Sequence, residues 1–168
     1  MAHILDASFV NRYFEAIDVE NSIFQMTNLR RLDISHNEIE RPPRLPSTLM
    51  SLNLSHNRSY LNLAGFAVSR LPHLRELVLS HNEMISTNGL SYLTSLEILN
   101  LSYNKLRSVA GLEMLTSLKV LILNDNCIES LSSLRCLSCN LELEYLDVRN
   151  NAVCETKNYA NLKNFISN

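Results

Sequence analysis

One nine-residue frame, Leu-x-x-Leu-x-Φ-x-x-Asn with Φ apolar, occurs six times in this chain, beginning at Leu29, Leu49, Leu74, Leu96, Leu118 and Leu143. The copies read LRRLDISHN, LMSLNLSHN, LRELVLSHN, LEILNLSYN, LKVLILNDN and LEYLDVRNN. Chance does not place one frame six times in 168 residues, so each copy is a structural unit that buries its apolar side by stacking on its neighbours. Residues two apart on a strand share a face, which sends Leu99 and Leu101 inward and Ile98 and Asn100 outward. Each copy therefore supplies one short strand. The closing asparagines, Asn37, Asn57, Asn82, Asn104, Asn126 and Asn151, carry both donors and an acceptor, and stacked in the interior they form a ladder that satisfies backbone groups where the chain turns away.

The asparagines are separated by 20, 25, 22, 22 and 25 residues, giving an underlying unit of 22. Between strands the apolar residues recur every third position, as in Met84, Leu90, Leu93 and Leu96. That period predicts irregular or 3₁₀ turns on the convex side. Leu131, Leu134 and Leu137 keep the spacing through the longer fifth return, which predicts a helical piece packed inward. Gly65, Gly89 and Gly111 fall at nearly the same point of the return and mark a turn that needs glycine's conformational freedom. The first return, RPPRLPSTL over residues 41–49, is proline-rich and predicts an extended path.

Residues 1–28 fit the frame poorly. Val10, Tyr13, Phe14 and Ile17 recur at helical spacing after a candidate cap at Asp6, while Ile17, Ile23, Met26 and Leu29 resemble the back half of a repeat. A solenoid end exposes apolar edges, so this stretch is read as an N-terminal cap. At the other end, residues 152–168, Val153, Tyr159, Leu162, Phe165 and Ile166 form one stripe of a closing helix. The domain plan is a cap over 1–28, repeats over 29–151 and a cap helix over 152–168. Because the chain stops at Asn168 just after that stripe, we expect an N-terminal domain of a longer protein.

The LTSLxxLxLSxNxL phrase and the 22-residue period resemble the cytosolic leucine-rich repeat class typified by the repeat-built regulatory subunit of protein phosphatase-1. Axonemal dynein light chain 1, the spliceosomal A-prime protein and ciliary and centriolar proteins share that class. The resemblance covers residues 29–166, and Asn151-Ala-Val-Cys154 with the later Tyr159 is similar to the class's C-terminal cap, without its closing Pro-x-Leu-x-x-Leu-Asp. Leu45-Pro46 resembles instead the 20-residue bacterial class. The resemblance implies an α/β fold, a right-handed solenoid arc with six parallel strands on its concave face, that binds proteins without catalysis.

Charge and cysteines narrow the setting. A net charge of −2 and a pI near 6.2 supply no field that would recruit nucleic acid or an anionic membrane. No apolar run reaches bilayer length, so no membrane insertion is expected, and the first residues lack the basic region of a secretory signal. Cys127, Cys136, Cys139 and Cys154 all lie in the C-terminal third, without the cysteine-rich flanks of extracellular relatives of the fold. Free thiols in a cytoplasmic protein associated with the cytoskeleton are the expectation. Cys127 and Cys154 are expected to pack as small hydrophobes.

The third and fifth positions of each frame form the concave surface. They contain Arg31, Glu76, Ile98, Val120 and Tyr145, and Asp33, Val78, Asn100 and Ile122. With Tyr103 at an eighth position, these ten are the candidate partner-binding residues. Apolar side chains cluster where solvent is expected, on the later strands, and an exposed apolar patch commonly marks a docking surface. His36, His56 and His81 share the eighth position on successive strands. Three imidazoles could bind zinc, yet no carboxylate or cysteine joins the row, and Ser-His-Asn is a frequent filler of the frame. Cys136-Leu-Ser-Cys139 is a lone Cys-x-x-Cys outside the strand-to-helix setting that redox chemistry needs. No phosphate loop, nucleophile triad or acid pair appears. The expected function is a monomeric, non-enzymatic, cofactor-free and metal-free protein-binding scaffold in a cytoskeletal, basal-body or ciliary assembly. Alternatives are a regulatory subunit of a phosphatase or other signalling enzyme, an adaptor in a ribonucleoprotein, and an enzyme whose catalytic domain lies beyond Asn168.

Overall fold

The computed structural model describes residues 5–13, 15, 23, 26–41, 43–57 and 71–156. Each frame forms a three-residue strand at its third to fifth positions: β2 (Arg31–Asp33), β3 (Ser51–Asn53), β4 (Glu76–Val78), β5 (Ile98–Asn100), β6 (Val120–Ile122) and β7 (Tyr145–Asp147). A further strand, β1 (Asp6–Ser8), precedes them. All are parallel and adjacent in chain order, in one sheet of seven strands. The register is unbroken: Leu32, Leu52, Leu77, Leu99, Leu121 and Leu146 face one another across neighbouring strands.

β1 corrects the expectation of six strands and of a helix starting at Asp6. Its register, Asp6 opposite Arg31 and Ala7 opposite Leu32, identifies ILDASFVNR as a seventh, degenerate copy of the frame. Ala7 and Phe9 take the inward positions and pack against the core. The strand wins over a helix because it covers the open edge of β2, whose backbone would otherwise lack partners. Of the cap residues expected on a helix, Tyr13 is exposed, while Phe14 and Ile17 lie outside the described residues. So do Tyr159, Leu162, Phe165 and Ile166 of the closing helix; Val153 is buried in a 3₁₀ helix, Ala152–Glu155.

The convex returns follow the spacing-three rule. Leu90, Leu93 and Leu96 each donate their backbone N–H to the carbonyl three residues earlier, at 3.1, 2.9 and 2.9 Å. The same step joins Ile23, Met26 and Leu29 at 2.8 and 3.0 Å, so the end of the cap is the back half of a repeat. 3₁₀ helices occupy Leu112–Met114 and Leu131–Cys139, the second burying Leu134 and Leu137. Gly89 and Gly111 open their turns at φ 94° and 95°, a backbone region L side chains avoid; Gly65 lies outside the described residues. Residues 43–50 are neither strand nor helix, as their prolines require.

The asparagine ladder has one direction. Asn104 donates from Nδ2 to the carbonyls of Leu101 and Ser102 in its own repeat and of Leu79 in the one before, at 3.0, 3.1 and 3.0 Å. Its Oδ1 accepts the N–H groups of Asn82 and Met84, again in the preceding repeat, at 3.2 and 2.8 Å. Asn37, Asn57, Asn82, Asn126 and Asn151 repeat the backward reach, to the carbonyls of Phe9, Ile34, Leu54, Leu101 and Leu123. The corresponding carbonyl of the last frame, Val148, accepts the thiol of Cys154 at 3.0 Å. Cys154 packs against the core as expected of a small hydrophobe and also takes the place of the next asparagine, whereas Cys127 is exposed rather than packed.

Candidate functional site

The outward side chains of the sheet form two rows. One runs Asp6, Arg31, Ser51, Glu76, Ile98, Val120, Tyr145, and the other Ser8, Asp33, Asn53, Val78, Asn100, Ile122, Asp147. Of the ten candidates, all but Tyr103 stand in these rows, and their character changes at β4. From β1 to β4 the face is polar and encloses a groove of about 430 Å³ lined by residues including Asp6, Arg31, Asp33, Asn53, Glu76 and Val78. From β4 to β7 it carries Val78, Ile98, Val120, Ile122 and Tyr145. Ile98 is 38% exposed and Tyr145 50% exposed, large values for apolar residues on a sheet.

Several polar candidates already have local work. Asn100 Oδ1 accepts the backbone N–H and the hydroxyl of Ser102 at 3.0 and 2.8 Å, and Asn53 does the same for Ser55 at 3.0 and 2.8 Å. Asp33 accepts the Ser35 N–H at 2.9 Å. These are Asx turns that end the strand, so Asp33 and Asn100 serve the fold as well as the surface. Asp147 makes the same turn with the Arg149 N–H at 3.1 Å and takes the Arg149 guanidinium as a fork, at 2.9 and 2.6 Å. That fork holds the Asp147 carboxyl below the usual carboxylate range. In the groove Arg31 pairs with Asp6 at 2.8 Å, Ser51 donates its hydroxyl to Glu76 at 2.8 Å, and Asn53 donates to Asp33 at 3.1 Å. Beside the apolar half, Glu97 bridges Arg75 and Lys119 at 3.0 and 3.2 Å, a charged rim of modest energetic weight.

The eighth position of every frame is left-handed: φ is 54° at His36, 52° at His56, 57° at His81, 54° at Tyr103, 56° at Asp125 and 57° at Asn150. Histidine, aspartate and asparagine tolerate that conformation better than most residues, which explains the run of histidines without any ligand. Strand spacing then stacks the rings. Centroids of His36, His56, His81 and Tyr103 follow at 4.1, 4.0 and 4.2 Å, with interplanar angles of 11°, 13° and 10°. Imidazole lone pairs lie in the ring planes, so near-parallel rings direct them side by side rather than toward one ion at roughly 2 Å. Among the described residues no group of three His, Cys, Asp or Glu is placed to hold a metal ion. Burial first, then the neighbouring His81 and His36, lower the His56 pKa. Cys136 donates its thiol to the Val109 carbonyl at 3.3 Å, and burial, with Glu113 nearby, pushes its pKa up to about 11, opposite to the activation a redox thiol needs.

Family models described as leucine rich repeat match residues 47–106 and 25–40. These matches, the six copies of the frame and the parallel solenoid sheet give the chain a leucine-rich repeat fold. Osteomodulin of Bos taurus is 34% identical over 82 residues, which are 48% of this chain and 19% of that protein. The chain thus spans about a fifth of the curated relative it matches. An internalin C2 structure from Listeria monocytogenes superposes with a TM-score of 0.65 at 20% identity, covering 94% of this chain and 76% of that one. The internalin inlF of the same organism gives 0.63 at 21%, covering 83% and 47%. A leucine-rich repeat protein of Leptospira interrogans gives 0.58 at 27%, covering 77% and 39%. The two internalins support the fold alone. Among the described residues no helix is long and apolar enough to cross a membrane.

Proposed function

We propose that this arc is a monomeric, non-enzymatic binding module that captures a protein partner on the concave face of β4 to β7. Leucine-rich repeat folds generally mediate protein interaction, and the observation that carries the reading here is the exposed Ile98 and Tyr145, continuous with the half-buried Val120 and Ile122, on a sheet whose inward leucines already fill the core. Tyr103, 48% exposed, and the Arg75, Glu97 and Lys119 rim frame it as polar rims frame interface centres. We place the binding in a cytoplasmic, cytoskeletal, basal-body or ciliary assembly, supported by the resemblance of the 22-residue frame to that class.

The test uses the chain as bait at native expression, comparing wild type, Ile98→Glu, Ile122→Glu and a convex control, Arg107→Glu. Partners held by wild type and the control should be lost from both concave variants while circular dichroism and melting stay unchanged. Retention by both glutamate variants overturns the site, and recovered partners outside such assemblies overturn the setting.

A further inference from the structure

The concave face is chemically two-ended, and this property specifies the partner. In the groove between β1 and β4 three carboxylates, Asp6, Asp33 and Glu76, meet one guanidinium, Arg31. Arg31 is paired with Asp6. Asp33 and Glu76 receive hydrogen bonds from neutral donors, the Ser35 N–H and the Asn53 amide at Asp33 and the Ser51 hydroxyl at Glu76. Of the neighbouring cations, Arg75 is held by Glu97, and Arg30, whose guanidinium lies against Met50 Sδ at 3.3 Å, is not part of the groove's lining. The groove therefore carries negative charge that its own lining does not neutralise. It runs into the apolar half at Val78.

The sheet's backbone groups are engaged in the parallel ladder, so the face offers side chains only. A segment lying across it must satisfy its own backbone, as a helix does. From the centre of the groove, between β2 and β3, to the centre of the apolar patch, between β5 and β6, is three strand spacings, about 14 Å. At 1.5 Å per residue that is about ten helical residues.

Building on the proposed concave-face function, we infer that the occupant is an amphipathic helix of a partner protein with lysine or arginine at one end, over the groove, and an apolar face about three turns away, over Ile98 and Ile122. Charge complementarity fixes its orientation, and apolar burial holds it.

A phage-displayed library of 20-residue helix-forming peptides, randomised along one face and panned on the full chain, tests this. Enrichment of basic residues about ten positions from an apolar cluster is expected, with affinity falling about tenfold or more for both Ile98→Glu and Glu76→Lys. Asp6→Lys gives a second reading of the charge should Glu76→Lys not fold. Peptides lost on Ile98→Glu but indifferent to both charge reversals, or enriched in acidic residues, overturn the helix chemistry and leave the concave site standing. Peptides indifferent to Ile98→Glu overturn both readings, and a library with no enrichment overturns the inference drawn here.

Discussion

Replacing Asn104 with alanine should be among the most damaging single truncations of a polar side chain in the array. Asn104 is 6% exposed and makes five hydrogen bonds to backbone. The loss is uneven. The carbonyls of Leu79 and Leu101 keep other asparagine donors, Asn82 and Asn126, and Ser102 keeps the His81 N–H. The N–H groups of Asn82 and Met84 lose the acceptor, inside the protein. An orphaned buried donor costs about 1–3 kcal/mol and each weakened carbonyl a fraction of one, so Asn104→Ala should lose about 3–5 kcal/mol. Asn57, only half-buried, accepts one bond among the described residues, from the Ile39 N–H at 3.0 Å, and water can reach the vacated position. Asn57→Ala should lose about 1–2 kcal/mol. Urea unfolding at 25 °C, with midpoint and slope fitted separately, measures both. A loss below about 1 kcal/mol for Asn104→Ala, or equal losses for the two, refutes the assignment of the penalty to buried donors.

Leu99→Asp buries a charge with no partner at a fully buried position and should abolish folding, whereas Ile98→Glu next to it should stay within about 0.5 kcal/mol of wild type in the same unfolding assay. Cys154→Ala should cost about 1 kcal/mol by leaving Val148 without its thiol donor, and Cys154→Ser, which restores a donor, should recover most of it. The folded His56 pKa is lowered, so the unfolded chain binds more protons in the window below the ordinary histidine value. Stability should therefore fall as pH drops from about 6.5 through the folded value, and His56→Asn, which keeps a left-handed-tolerant residue, should flatten that slope in urea midpoints taken from pH 5 to 8. A thiol-reactive chromophore at pH 8 should label exposed Cys139 well before Cys136, whose pKa is about 11; equal rates would count against the burial of Cys136.

The repeats were legible because leucine at fixed spacing is both the signal and the core: the same residues that define the frame are buried at Leu99, Leu101 and their equivalents. β1 was hidden for the same reason. Its inward residues are Ala7 and Phe9, and its closing position is Arg12, whose N–H, not its side chain, meets Asn37 Oδ1 at 3.0 Å. A register needs only backbone in the right place, and backbone leaves no mark on the string. The concave rows could be read from the period of two, but not which polar members were engaged locally. The Asp-x-Ser and Asn-x-Ser strings at Asp33, Asn53 and Asn100 carried that signal as Asx turns. The groove between β1 and β4 depends on β1, whose sequence carries no leucine frame, so its charge is not visible in the string.

The backward reach of the asparagines sets an order of events during synthesis. A repeat leaving the ribosome carries strand and leucines, but the acceptor for its turning N–H groups belongs to the repeat translated after it, as Asn104 serves Asn82 and Met84. Each unit is thus finished one unit late, about 22 residues behind the growing end. A chain arrested at any frame ends in an open clasp, and stalling there should expose the newest repeat to proteolysis while those already clasped stay protected.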